Sequence, residues 1–156
     1  MPIDFIIISG GQTGADRAAL DWALRHSIPH GGWCPNGRQA ADGPIDAKYH
    51  LKETPGADSA ERTEWNVRDS DGTVAFTLAT KATGGTQKAL VFARKQKKPC
   101  LHLHKGMLAV SEKLVAFLAK HHIRRLNVAG STEEDEAGIY AWVTDSLEKT
   151  KMVLER

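Results

Sequence analysis

The stretch "SGGQTGAD", residues 9–16, joins an apolar run, "IDFIII" (3–8), to a segment of helical period, "RAALDWALRH" (17–26). It reads as the turn at which a buried strand hands over to a helix. Gly10 and Gly11 let the backbone turn sharply and let a ligand approach it with no Cβ in the way. Thr13, followed three residues later by Asp16, fits a helix start in which the threonine oxygen accepts from free N–H groups of the first turn. The other free N–H groups, with the positive end of the helix dipole, make a seat for an anion such as phosphate. The reading places Gly10, Gly11, Gln12, Thr13 and Gly14 in that seat, with Asp16 and Arg38 bonding hydroxyl or ring-edge groups of the same ligand; an ordinary strand-to-helix turn is the alternative.

Two familiar phosphate motifs do not fit. A dinucleotide fingerprint would need glycine at positions 9, 11 and 14, and position 9 is Ser9. The acidic residue expected about 20 positions on is also missing, since that region reads Trp33-Cys34-Pro35-Asn36. There is no Gly-Lys-Ser/Thr, so the turn is not a Walker loop.

Outward from this turn, short apolar runs alternate with helical segments: "GGWCP" (31–35), "ERTEWNVRD" (61–69), "GTVAFTL" (72–78) then 85–97, "PCLHLH" (99–104) then 111–121, and "RRLNVAG" (124–130) then a long segment from about 133. Strands such as Ile6-Ile7-Ile8 and Val74-Ala75-Phe76 are apolar on both faces, as a parallel sheet covered by helices on each side requires. The expected fold is α/β, one domain over residues 1–156, with a doubly wound parallel sheet whose ligands bind beyond the carboxyl ends of the strands. In the last helix Ile139, Trp142, Val143, Leu147 and Met152 recur at helical spacing and should pack on the sheet. Residues 35–60 break the alternation with three prolines and three glycines, and read as a long functional or mobile loop.

A second glycine turn follows the third strand. Gly84, Gly85 and Thr86 open the next helix and offer another anion seat, so two strand-exit loops could hold two ends of one phosphorylated ligand. At the last strand exit, Ser131 or Thr132 is expected to cap a helix with an acidic first turn, a structural role. Arg62 and Asn66, at an i, i+4 spacing, face either the crevice or solvent. Asp69 and Asp71 begin like a calcium loop, but the later ligands are missing. Cys100, His102 and His104 share one strand face; a central strand would put that face under a helix, so no protein-ligated metal is expected.

The chain's 156 residues suit a single core, and its net charge of +2, without a basic arm, gives no support to nucleic-acid or membrane-surface binding. No apolar run approaches the roughly 20 residues that span a bilayer. With only Cys34 and Cys100, not in CxxC spacing, a disulfide framework is not expected and a cytoplasmic location is.

Taken together, "GGQTGADRAALDWA" (10–23), "GGWCPNGR" (31–38), the spaced set "ADG.I...Y.L.ET" (41–54), "RT.WNVRDSDGT" (62–73) and "GGT" (84–86) resemble the family of proposed molybdenum carriers. That family lies in a wider Rossmann-like group with the cytokinin-activating phosphoribohydrolases, long labelled lysine decarboxylases. The resemblance implies a doubly wound fold, binding of a phosphorylated pterin–molybdenum cofactor (molybdopterin) or a related nucleotide-like ligand, and a homo-oligomer, dimer or tetramer. The phosphoribohydrolases carry P-G-G-x-G-T-x-x-E. Gly85 and Thr86 match its G-T, but Ala89 stands at the glutamate and Thr83 at the second glycine, which argues against glycosidic-bond cleavage. The expectation is therefore a non-catalytic carrier. The alternatives are a nucleoside-phosphate hydrolase or transferase, with Asp16, Asp69 or Asp71 supplying the carboxylate, and a sensor that passes nucleotide occupancy to a partner protein.

Overall fold

The run "GTVAFT" is apolar or small throughout, and all six of its residues are buried in the middle of the molecule. The structure, a computed structural model, describes residues 3–156. In chain order its elements are β1 (Ile6–Ile8), α1 (Ala15–Arg25), β2 (His30–Gly31), β3 (Trp33–Cys34), β4 (Gln39–Ala40), β5 (Gly43–Pro44), β6 (Lys52–Glu53), α2 (Ser59–Arg68), β7 (Gly72–Thr77), α3 (Gly84–Lys95), β8 (Cys100–His104), α4 (Val110–Lys120), β9 (Arg125–Gly130) and α5 (Ile139–Leu154). Five strands form one parallel sheet in the order β2-β1-β9-β7-β8. Helices α1, α4 and α5 pack together over one face, and α2 and α3 over the other. The doubly wound α/β expectation is met.

The position of β9 sets the site. The last strand in sequence lies between β1 and β7, with Ile7 opposite Leu126 and Val74 opposite Val128. If β9 is counted first, the sheet order becomes 3-2-1-4-5, the order of a doubly wound nucleotide-binding half. The chain is thus a circular permutation of that order, and the point at which the strand order reverses lies between β9 and β7. Ile3 and Phe5 line one depression with Val153 and Leu154, so the two ends of the described chain meet there.

Alternation along β9 divides its side chains between two faces. Leu126 and Val128 join the large core under α1, α4 and α5, with Trp22, Leu114, Ile139 and Leu147. Asn127 and Ala129 face α2 and α3, where the core is small, built on Val67, Ala89 and Ala93. Asn127 donates to Thr73 Oγ1 at 3.2 Å, a polar pair on the floor of that second face.

Several local expectations are corrected. "GGWCP" is not one strand: β2 and β3 belong to different sheets and separate at Gly32, whose φ of +135° and close approach to the Ser9 carbonyl exclude a side chain. Residues 35–60 are an ordered strap, with β3 paired to β6 and β4 to β5. β8 is an edge strand, not a central one. Ile139, Val143 and Leu147 are buried and Trp142 packs edge-on to Phe76, whereas Met152 is 69% exposed because its helical phase puts it on the side of α5 opposite the buried Leu147 and Thr150. The acidic segment 133–136 precedes α5, which begins only at Ile139, so Ser131 and Thr132 do not cap it. Glu133 does, accepting from the N–H groups of Gly138 at 2.7 Å and Tyr140 at 3.0 Å.

Candidate functional site

A crevice of about 640 Å³ opens at the carboxyl ends of β1, β9 and β7, on the α2/α3 side of the sheet. That volume falls within the roughly 300–1,000 Å³ usual for small-molecule sites. Its floor is the end of β9, one wall is α2, and the opposite wall is the turn from β7 into α3. Of the residues singled out in the sequence, Gly10, Gln12, Asp16, Gly85 and Thr86 line it, and Arg62 and Asn66 face it from α2.

The first glycine turn is largely occupied by the protein itself. The N–H of Gln12 donates to Asp16 Oδ2 at 3.3 Å, that of Thr13 to Gln12 Oε1 at 2.9 Å, and that of Ala15 to the Ser131 carbonyl at 3.1 Å. Thr13 does not cap α1. Gly14 holds that position, and the Thr13 hydroxyl instead bonds Glu134, tying the exits of β1 and β9 together. A Cβ on Gly14 would lie 2.4 Å from the Ser131 carbonyl oxygen, and one on Gly10 would lie 2.0 Å from Arg62 Nη1. Gly14 is required by neighbouring backbone atoms, whereas a side chain at Gly10 would have to displace Arg62.

Arg62 crosses Gly10 to reach Asp16, Nη1 to Oδ2 at 3.0 Å, a pair whose side chains are only 14% and 8% exposed. Burial pushes the Asp16 carboxyl above its usual range, against the lowering effects of Arg62 and the Gln12 N–H. Asn66 is committed to Trp33, accepting from its N–H at 2.7 Å and donating to its carbonyl at 2.9 Å. Arg38 is not among the lining residues. Its guanidinium donates to the carbonyls of Ile45, Asp46, Tyr49 and Leu51 and so holds the strap together.

The second glycine turn differs. α3 starts without a side-chain cap and without an acidic residue in its first turn, and its first N–H groups have no helical partner. Cβ atoms on Gly84 or Gly85 would meet nothing within 4 Å, and both residues are exposed. No neighbouring atom requires glycine here for space, and the open backbone faces the crevice beside Lys81 and Thr86.

The sequence reading missed Glu136. Its carboxylate accepts from the N–H groups of Leu78 at 2.8 Å and Ala79 at 2.9 Å and from Ser131 Oγ at 2.6 Å. Burial opposes its charge, but these bonds outweigh that and hold the carboxyl below its ordinary range. No local pattern marks it, because its two backbone partners lie 58 and 57 residues away.

Asp69 and Asp71 sit before β7, at the amino end of the sheet. Asp69 accepts from Trp33 Nε1 at 2.7 Å and pairs with Arg68, which holds it at about 2; Asp71 accepts from the N–H groups of Arg124 and Arg125. Neither lines the crevice. His102 bonds the Thr77 hydroxyl at 2.7 Å. Among the described residues, no three His, Cys, Asp or Glu side chains converge as metal ligands, and no helix is long and apolar enough to cross a membrane.

Fold and site together define a permuted doubly wound domain with a crevice of small-molecule size at its switch point. The sequence matches the family described as "Circularly permutated YpsA SLOG family" over residues 7–151, and the chain belongs to that family. It is also similar to a protein of known crystal structure from Syntrophus aciditrophicus SB, named "Putative molybdenum carrier protein", with 43% identity, 96% of each chain covered and a TM-score of 0.91. No curated protein matches.

Proposed function

We propose that this chain binds a phosphorylated, nucleotide-like or pterin ligand in the crevice and hands it on, with the molybdenum cofactor as the cargo suggested by the name of its relative. The observation that carries this reading is the bare start of α3. An uncapped helix N-terminus with two exposed glycines suits the close approach of a phosphate, which the N–H groups and the helix dipole both favour. Lys81 adds positive charge nearby. Gly10, Gln12 and Asp16 face the rest of the ligand, and Asp16 accepts from a hydroxyl or ring N–H. With no converging set of protein donors among the described residues, a metal arriving with the ligand keeps the ligand's own donors.

Native mass spectrometry of protein purified without added ligand, followed by denaturation and identification of what is released, tests the cargo. A phosphorylated pterin, with or without molybdenum, supports the carrier; a purine nucleotide moves the reading to a nucleotide sensor or enzyme. Gly85→Val is expected to weaken binding of the released molecule by about tenfold or more, equivalent to about 1.4 kcal/mol. Unchanged affinity removes α3 from the site.

A nucleoside-phosphate hydrolase is the second reading, and one observation favours it: Asp16, alone among the three candidate carboxylates, lines the crevice with its proton affinity raised. Release of free base from nucleoside monophosphates, lost in Asp16→Asn, is its test.

A further inference from the structure

The Glu136 carboxylate is held as a bound oxyanion would be. Two backbone N–H groups from the exit of β7 and one hydroxyl from the exit of β9 converge on it across the point where the strand order reverses. These are fixed donors at the mouth of the crevice, and Glu136 itself lines that crevice and is only half-buried. Together they form an oxyanion seat around the carboxylate.

The fold does not depend on Glu136 to shape the segment that carries it. Residues 131–138 are anchored by the Ser131 N–H on the Phe76 carbonyl at 3.1 Å, by the Asp135 N–H on Thr132 Oγ1 at 3.1 Å, by Glu134 on Thr13, and by Glu133 on the first N–H groups of α5. Glu133 and Glu134 are therefore spent on the fold. Glu136 reaches the other way, toward β7, and rotation of its side chain alone would vacate the seat.

We propose that Glu136 is an internal competitor, a carboxylate that fills an oxyanion seat formed by the Leu78 and Ala79 N–H groups and the Ser131 hydroxyl, and that a phosphate group of the ligand takes this seat, a second one beside that at the start of α3, when the glutamate swings out. The inference rests on the crevice being a phosphate-ligand site, and it adds an exchange step to that reading. Ligand entry then displaces one anion by another at fixed donors, so the seat is never left with unpaired N–H groups as cargo arrives or leaves. The bound form is the one in which the Glu136 side chain is turned out of the seat, a difference a recipient protein could read.

The test uses inorganic phosphate and adenosine 5′-monophosphate as probes, titrated by calorimetry into the full chain and into Glu136→Ala and Glu136→Gln. A competitor that occupies the seat most of the time lowers apparent affinity by the fraction of time the seat is free, so removing it should tighten phosphate binding by about tenfold or more. A structural clamp would act in the opposite direction. Amide resonances of Leu78 and Ala79 should move on phosphate addition, at lower phosphate in Glu136→Ala than in the unaltered chain. Ser131→Ala, placed in the Glu136→Gln background, should lower the affinity again by removing one donor. Equal or weaker phosphate binding in both Glu136 variants, or unmoved Leu78 and Ala79 amides, overturns the inference. A gain for phosphate alone makes the seat one for a free oxyanion, and a gain for the nucleotide makes it one for a phosphate ester. Loss of probe binding on Gly85→Val bears on the α3 seat separately, so failure of the exchange step and failure of the ligand-site reading give different results.

Discussion

Asp16 shows how a single residue carries two roles that the linear pattern cannot separate. Its spacing from Thr13 suggested a helix start, but its Oδ2 accepts from Arg62 and from the Gln12 N–H, and the pair is nearly sealed from solvent. Removing one partner of a buried pair strands the other, and Arg62→Met is expected to cost roughly 3–5 kcal/mol at neutral pH. The pH dependence has a definite sign. Burial raises the folded carboxyl above its unfolded value near 4, so in the window above about pH 4 the folded chain holds more protons than the unfolded one, and this group makes stability fall as pH rises. Melting temperature followed from about pH 4 to 7 should show that fall flattened in Asp16→Asn and steepened in Arg62→Met. A profile unchanged in Asp16→Asn would mean that the carboxyl titrates as an exposed one. Gly10 belongs to the same unit: the sequence marked it for ligand approach, and the structure shows the Arg62 guanidinium in the space its missing Cβ leaves.

Among the elements, α3 and α1 begin with similar glycine turns and differ in what the glycines face. Gly85 is helical, exposed and clear of neighbours, so Gly85→Ala should stabilise the fold by about 0.5–1 kcal/mol while weakening ligand binding. Gly14 has φ +83° and lies against the Ser131 carbonyl, so Gly14→Ala should destabilise by about 2 kcal/mol or more. Chemical denaturation of the two variants checks both signs; stabilisation by both would show that the first turn is as open as the second. Strands and helices were readable because their apolar period repeats within a few residues, as in "VAFT" and "RAALDWALRH". Residues 131–138 were not, because acidic residues before a helix and acidic residues inside its first turn look alike until Glu133 is seen to cap and Glu136 to reach β7.

At the scale of the whole molecule, the permuted strand order predicts its own reversal. Joining the ends of the chain by a short linker and opening it between the exposed His121 and His122 would place β9 first and restore the 3-2-1-4-5 order. The two ends already meet beside Ile3 and Val153, so this permutant should fold with the same far-ultraviolet circular dichroism and bind the same ligand. A permutant that stays unfolded would show that the sheet needs β1 to form before β9.

Sequence alone determined the α/β class, the parallel sheet, both glycine turns and the absence of a Walker or dinucleotide fingerprint, because each is written in neighbouring residues. It also carried the family resemblance in "GGQTGAD" and "GGT". Tertiary structure decided that β9 enters between β1 and β7, that Arg62 rather than a ligand fills the space beside Gly10, that Arg38 braces the strap, and that Glu136 faces the Leu78 and Ala79 amides. For β9, Arg62 and Glu136 the physical reason is separation: period and capping depend on residues a few positions apart, whereas these partners are selected by the combined packing of elements 46 or more residues apart along the chain. The carbonyls that hold Arg38 lie only 7 to 13 residues on, but they converge only once the strap has folded around the guanidinium, so no local pattern records that partnership either.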